Sequence, residues 1–462
     1  MVTPKFRRRD GTAVDQAAIE AFRQGFHGQV LLPGEPGYAS ARRIWNAGID
    51  KHPGLIARCS GVVDVVRAVK FARANNLLVA VKSGGHNVAG QALCDDGIVI
   101  DLSAMNGVSV DPELRTVRVQ GGALLGEVDR ETHLHGLAVP SGVVSKTGIA
   151  GLTLGGGVGW LVRKYGLTCD NVPSCEVVTA EGAIVTADAE TNADLFWGLR
   201  GGGGNFGIVT SFLFQAHPVS TVLGGVIVHA RPQAAAVFRY YRDFMASAPD
   251  ELTAYAGLIS TPEGKRAVAV MACCCGDLVE GERVLKPLRA FGSPLLDAIQ
   301  PMPFPVMQRL ADEASPDNVH NYWKSTFLNE LSDETIDLIV EHGNRVESPL
   351  THVLIQLFNG QVGRVGNADT AFAQRQAGYN VGIEAKWIDP AESEKHTTWA
   401  RAFSDALKPH SSKAYLLNFL GDEDPDLVRG AFGSNHARLV ELKTKYDPTN
   451  FFSLNQNVEP RR

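Results

Sequence analysis

The sequence predicts an α+β protein of two domains, and three observations carry that expectation. The chain has 462 residues, well past the length at which one hydrophobic core usually suffices. Its 48 glycines cluster in the first half, among many short apolar strands. Near Pro218 the texture changes. The glycine clusters vanish, and longer strands and helices follow in the order expected of an antiparallel sheet with helices on one face.

Taken in order, residues 13–27 repeat apolar side chains at helical spacing (Val14, Ala18, Phe22, Phe26). Tyr38 to Trp45 reads as loop and short helix. Leu55 to Arg58 is a strand, Val62 to Asn75 an amphipathic helix, and Leu78 to Lys82 a second strand that delivers the turn Gly84-Gly85-His86. Strands follow at Ile98 to Leu102 and Thr116 to Gln120, then a helix from Leu124 to His135. Beyond the central glycine run come strands at Cys175 to Thr179 and Ile184 to Thr186, a short helix from Asp194 to Arg200, and a strand from Ile208 to Phe214. In the second half, Val222 to Ala230, Ala254 to Ser260, Val268 to Cys275, His352 to Leu357 and Tyr379 to Ala385 read as strands. Ala234 to Ala246, Gly281 to Ala290 and Glu392 to Ala406 read as helices. The tail offers a strand at Tyr415 to Leu420 and helices at Asp426 to Phe432 and Asn435 to Tyr446.

Composition narrows the function. A hydrophobic fraction of 44% and a charged fraction of 20% describe a globular protein, and a net charge of -6 argues against a broad nucleic-acid surface. No apolar run reaches the length of a membrane span. Met1 to Asp10 holds Lys5 and Arg7-Arg8-Arg9 without a following apolar stretch, so it is not read as an export signal, and a cytoplasmic location is the default. The seven cysteines include the adjacent Cys273, Cys274 and Cys275 in an apolar run, which suits small strand residues better than a disulfide framework. No spacing suits a metal site.

Three glycine-dense stretches carry the chemistry. They are Lys82-Ser83-Gly84-Gly85-His86-Asn87, the run from Pro140 to Gly159, and Arg200 through Gly207. Glycine is required where φ is positive or where backbone approaches a ligand closely, and successive N–H groups form concavities that suit phosphates. A histidine between glycines is more often a satisfied structural residue, but beside such a cradle it becomes a candidate for function. The run Gly148, Gly151, Gly155, Gly156, Gly157 is not a dinucleotide fingerprint, for no strand opens directly into a G-x-G-x-x-G helix. No phosphate-binding Gly-Lys-Ser/Thr occurs either. A nucleotide would be bound by a different fold.

Together these stretches resemble the berberine-bridge-enzyme-like group of the vanillyl-alcohol oxidase superfamily. The match rests on Ser83 to His86; on Thr147 to Gly159 with Gly166, Asp170 and Asn171; on Leu195 through Gly207-Ile208-Val209-Thr210; and on the tail Tyr446-Asp447-Pro448 through Asn455-Gln456-Asn457. Tyr322 to Ser325 adds a weaker match. The resemblance implies a two-domain PCMH-type FAD-binding fold with an antiparallel-sheet substrate domain. The expected units are an N-terminal segment 1–49, an FAD-binding domain 50–217, a substrate-binding domain 218–411, and a C-terminal segment 412–462 that returns to the FAD domain. It implies FAD contacts at Lys82 to Asn87, Thr147, Gly148, Gly151, Gly155 to Gly157, Asp170, Asn171, Gly207, Ile208, Val209 and Asn455.

In this group the loop histidine is joined to the 8α carbon of the flavin, and His86 matches it. A neutral imidazole nitrogen is a suitable nucleophile for such a bond. Many relatives add a cysteinyl bond, but Val144 stands at that position, so attachment through His86 alone is expected. A histidine found near the flavin in plant-type enzymes is replaced by Leu152; the contact it makes would come from Lys146 or backbone N–H groups. These departures resemble the singly linked bacterial amine and alcohol oxidases. At the oxygen-gating position stands Thr147, whose size is compatible with access of molecular oxygen.

The catalytic base is the least determined element. Relatives that oxidise alcohols use a tyrosine two residues before an asparagine; here Tyr415 stands three before Asn418, and a one-residue step in a strand turns the side chain to the other face unless a bulge restores it. Tyr415, Gln356 and Tyr322 are the candidate catalytic residues. The expected function is an FAD-dependent oxidase passing hydride from a small molecule (secondary alcohol, sugar or secondary metabolite) to covalent FAD and then to O₂, with H₂O₂ as product. Oxidation of a C–N bond in an alkaloid-like heterocycle is an alternative, and a flavin-binding protein without turnover is another.

Overall fold

The computed structural model describes residues 6–376, 378–421 and 425–461. The first five residues, including Lys5 of the amino-terminal basic stretch, lie outside the described residues. No helix among the described residues is long and apolar enough to cross a membrane.

Strands β1 (Gln29–Leu31), β2 (Leu55–Arg58), β3 (Val79–Lys82) and β4 (Ile98–Asp101) form one sheet in the order β1-β2-β4-β3. The strands β2, β4 and β3 are parallel, as the helix Val62–Ala74 between β2 and β3 requires. A second sheet joins β5 (Val108–Asp111), β6 (Thr116–Gln120), β8 (Ser174–Val178), β9 (Ile184–Asp188) and β10 (Ile208–Gln215) in the order β5-β6-β10-β8-β9. The two-residue strands β7 (Leu137–Ala138) and β11 (His217–Pro218) pair with each other.

The third sheet has eight strands, all pairings antiparallel. It comprises β12 (Thr221–Ala230), β13 (Leu252–Ser260), β14 (Arg266–Cys274), β15 (Leu296–Asp297), β16 (Gln300–Pro303), β17 (His320–Leu328), β18 (His352–Phe358) and β19 (Gly378–Trp387). Side chains alternate across a strand, and that period sorts this sheet into two faces. Val353, Ile355 and Leu357 of β18 and Val381, Ile383 and Ala385 of β19 point into a core shared with helices Ala234–Ala246, Leu278–Arg289, Asp333–Asn344 and Ser393–Leu407. Each large apolar side chain buried there contributes about 1.5–3 kcal/mol. The intervening residues, His352, Leu354 and Gln356 of β18 and Glu384 and Lys386 of β19, line a cavity on the other face.

Besides several short strands and turns of helix, two long elements fall where the sequence reading assigned none: β17 and the helix Asp333–Asn344, the latter capped by Ser332. A third differs. Tyr415 to Leu420 is not a strand; it holds a 3₁₀ turn at Leu417–Phe419. Leu416 N–H donates to Ser325 Oγ at 3.1 Å. Leu416 and Leu420 enter different apolar clusters, so two cores pull the segment out of an extended course.

The tail is pinned by a buried ion pair. Lys443 and Asp447 are both 0% exposed and 2.7 Å apart. The ammonium also donates to the carbonyls of Asn205 and Phe452, and the carboxylate accepts from Phe451 and Phe452 N–H. The Asp447-Pro448 motif is therefore an anchor that sets the path of Phe452, Asn455 and Gln456 along the cavity.

Candidate functional site

A cavity of about 470 Å³ runs from β3 and the first glycine stretch to the open face of the eight-stranded sheet. Ser83, Gly84, Gly85, His86, Asn87, Thr147, Gly148, Gly151, Gly155, Gly207, Ile208, Gln356 and Asn455 line it. Such a volume is in the range of small-molecule and cofactor sites.

The glycines serve two purposes there. At Gly151 and Gly204 an added Cβ would meet no atom within 4 Å, so those backbones border open space where a ligand can approach closely. Gly156 and Gly157 do not line the cavity. They have φ of 113° and 82°, and side chains there would strike Phe372 and Thr168. Their requirement for glycine is conformational and steric.

Other expected contacts also lie elsewhere. Lys82 donates to the Ala41 carbonyl at 2.8 Å and lies 3.7 Å from Asp101. The Asp170 carboxylate is clasped by Arg375 at 2.6 and 2.7 Å. Asn171 is spent on the Tyr165 and Leu167 carbonyls and on His217. Val209 packs in the core of the second sheet. Lys146 pairs with Asp317, and the polar neighbour of Leu152 is Asn418, which donates to its carbonyl at 3.3 Å.

Of the three candidate catalytic residues, only Gln356 lines the cavity; it accepts from Asn380 Nδ2 at 2.9 Å. Tyr322 is on the helix-covered face, because its neighbour Trp323 lines the cavity and the strand alternates. Its hydroxyl accepts from Arg401 at 3.0 Å. Tyr415 packs against the second core and Gly430. The 3₁₀ turn presents Leu417, Asn418 and Phe419 to the cavity in its place.

The sequence reading missed the charged wall opposite His86. Lys386 and Glu384 are 1% and 7% exposed, with Nζ 3.0 Å from Oε2. The same ammonium donates to the Ala314 carbonyl at 2.9 Å and lies 3.3 Å from His352 Nδ1. His352 and Glu384 are directly paired across β18 and β19. Burial, then the Lys386 charge, hold the His352 imidazole well below its ordinary pKa. It is neutral at pH 7, and with Nδ1 accepting from Lys386 its proton is on Nε2. The signal was present: in Gly382-Ile-Glu-Ala-Lys-Trp387 two charges sit two apart in an apolar strand, hence on one face.

His86 is neutral too. Burial first, then the charge of Lys386, push its pKa down to about 4. Its Nε2 is shielded from solvent without a hydrogen-bond partner, and the same holds for Oδ1 of Asn418 and of Asn455. Unpaired buried polar atoms are uncommon. Three of them on the wall of one cavity, beside glycines open to it, fit a large polar cofactor such as FAD.

Comparison with known proteins agrees with this fit. Residues 53–188 match the family described as FAD binding domain, and residues 414–459 match the berberine and berberine-like family. An FAD-linked oxidoreductase of Dictyostelium discoideum is 32% identical over 449 residues, 96% of this chain and 97% of that protein. The (R)-6-hydroxynicotine oxidase of Paenarthrobacter nicotinovorans is 31% identical over 94% of this chain and 97% of its own length. The crystal structure of 6-hydroxy-D-nicotine oxidase from Arthrobacter nicotinovorans superposes with a TM-score of 0.87 at 30% identity, covering 94% of this chain and 98% of that one. A xylooligosaccharide oxidase of Myceliophthora thermophila shares the fold, with a TM-score of 0.85 at 23% identity over 96% of this chain and all of that one.

Proposed function

The chain belongs to the berberine-like family of FAD-linked oxidoreductases, and we propose that within it this enzyme is an oxidase acting on a small, mostly apolar substrate at a carbon that bears a hydroxyl group. The observation behind the reading is one cavity that joins the glycine loops and His86 to the wall of Glu384, Lys386 and His352. FAD held there would supply a two-electron acceptor for the substrate hydride, with O₂ as the final oxidant and H₂O₂ as product.

The chain's own groups have distinct tasks in this proposal. His86 is the single attachment point, since its imidazole is neutral and the neighbouring cavity residue Val144 offers no thiol. Ser83 to Asn87, Thr147, Gly148, Gly151, Gly155, Gly207, Ile208 and Asn455 line the cofactor's berth. Glu384 takes the hydroxyl proton as hydride leaves. Lys386 holds that carboxylate in place, and His352 donates from Nε2 to the substrate oxygen. Val226, Ile259, Met271, Leu310, Leu354 and Phe419 form apolar walls, which suit an aromatic or alicyclic body better than a sugar, whose hydroxyls each need a partner. Thr147 leaves room for oxygen. We also read 50–217 with 412–462 as the cofactor unit and 218–411 as the substrate unit. The seven buried free thiols accord with a cytoplasmic location.

A second reading, oxidation of a C–N bond, is favoured by one placement: Tyr415 is outside the cavity. A neutral amine can lose hydride without a base. Release of H₂O₂ from a panel of apolar secondary alcohols, apolar secondary amines and xylo-oligosaccharides separates the cases. Alcohol turnover that Glu384→Gln abolishes supports the first reading. Amine turnover indifferent to that change supports the second, and efficient oligosaccharide turnover contradicts both.

A further inference from the structure

His86 sits at the end of the first glycine stretch, and its Nε2 has no hydrogen-bond partner. Trp45, from the segment before the first parallel strand pair, packs on the ring. The indole lies flat on the imidazole, with centroids 4.2 Å apart and planes 16° from parallel. Trp45 is itself immobilised. It is 5% exposed, its Nε1 donates to the Ser315 carbonyl at 3.2 Å, and its backbone N–H donates to Gly85 O at 3.2 Å. Trp323 of β17 meets it edge-on at 5.2 Å.

The next residue extends the grip. Asn46 Nδ2 donates to the carbonyls of Val88 and Asn321 at 2.7 and 3.0 Å, and its Oδ1 accepts from Asn321 N–H at 2.9 Å. One short stretch is thus held by the histidine loop on one side and by β17 and the Ser315 segment on the other.

We propose that Trp45 is the positioning residue for flavin attachment: its indole, clamped between the two halves of the molecule, holds the His86 imidazole in the orientation that bonds to the flavin. The inference rests on the reading that His86 carries the cofactor. In that step a C–N bond forms between an imidazole nitrogen and the flavin 8α carbon. One hydrogen leaves the 8α methyl group and one leaves the imidazole N–H. The two electrons reduce the flavin, and O₂ takes them as H₂O₂. A consequence is that attachment follows docking of the amino-terminal segment against the eight-stranded sheet.

The test is the rate at which full-length apoprotein, mixed with FAD in air, acquires flavin that survives denaturation, read by intact mass and gel fluorescence. Trp45→Phe keeps a flat ring and is expected to link at the wild-type rate. Trp45→Leu keeps some apolar bulk but cannot stack, and is expected to link roughly tenfold more slowly when assayed well below its own melting temperature, which the lost packing lowers. Equal rates for the two variants, or a Leu variant that is slow only because it melts early, overturn the inference while leaving the attachment itself intact. A wild-type chain that releases all its flavin on denaturation overturns both.

Discussion

Two buried lysine–carboxylate pairs, built from the same chemistry, do different work. Lys443 and Asp447 under the tail are surrounded by backbone: the lysine has three acceptors and the carboxylate accepts two N–H groups as well as the ammonium. Nothing in that pair is left over for a ligand. Lys386 also has three acceptors, but it and its partner Glu384 line the cavity. A buried pair by itself is weak evidence for either stability or function. What distinguishes the two is whether the carboxylate is saturated by the chain.

The largest effect that would sharpen this contrast is at the cavity. Glu384→Gln is expected to lower the rate of flavin reduction by a secondary alcohol by about 10²–10⁴-fold, and to cost less stability than the tail variant because the amide oxygen still accepts from Lys386; anaerobic stopped-flow absorbance measures the first and urea unfolding the second. At the tail the order reverses. Asp447→Ala leaves a buried ammonium without its counter-ion and is expected to cost about 3–5 kcal/mol, seen in urea unfolding. A tail variant that unfolds like wild type would break the comparison.

A third buried carboxyl has no cation. Asp129, 3% exposed, meets Gln308 Nε2 at 3.4 Å and leaves Oδ1 unpaired. Burial raises its pKa to about 7, against a partial opposing effect of Gln308. The folded state therefore holds a proton that the unfolded chain releases near the ordinary aspartate value of about 4. The stability this contributes is present below that value and is lost as pH rises toward 7, on the order of 4 kcal/mol in all. Urea titrations at several pH values should show that slope in the wild type and a shallower one in Asp129→Asn. The smallest effect is at Tyr322, on the covered face: Tyr322→Phe loses the exposed hydrogen bond from Arg401, about 1 kcal/mol or less, and leaves flavin reduction unchanged.

The cofactor end of the site was legible in the sequence because glycine is a strong local signal. A histidine among glycines, and open backbone at Gly151, need no tertiary information to be noticed. Yet the same signal could not separate Gly151 from Gly156 and Gly157, whose need is set by Phe372 and Thr168 from distant segments. The eight-stranded sheet was legible wherever a strand is apolar on the helix-covered face. It failed at β17, where His320, Asn321 and Lys324 mask the period, and at Tyr415 to Leu420, where two cores override a strand-like run. The charged wall was written in the sequence as Glu384 and Lys386 two apart, but its third member, His352, arrives only through cross-strand pairing.

The measurement that bears most directly on the account is the intact mass of the denatured chain, wild type beside His86→Ala. The account predicts that the wild type retains the mass of one FAD, and that His86→Ala loses all of it while still binding FAD in the native state. Flavin released entirely by the denatured wild type, or retained by His86→Ala, would contradict it.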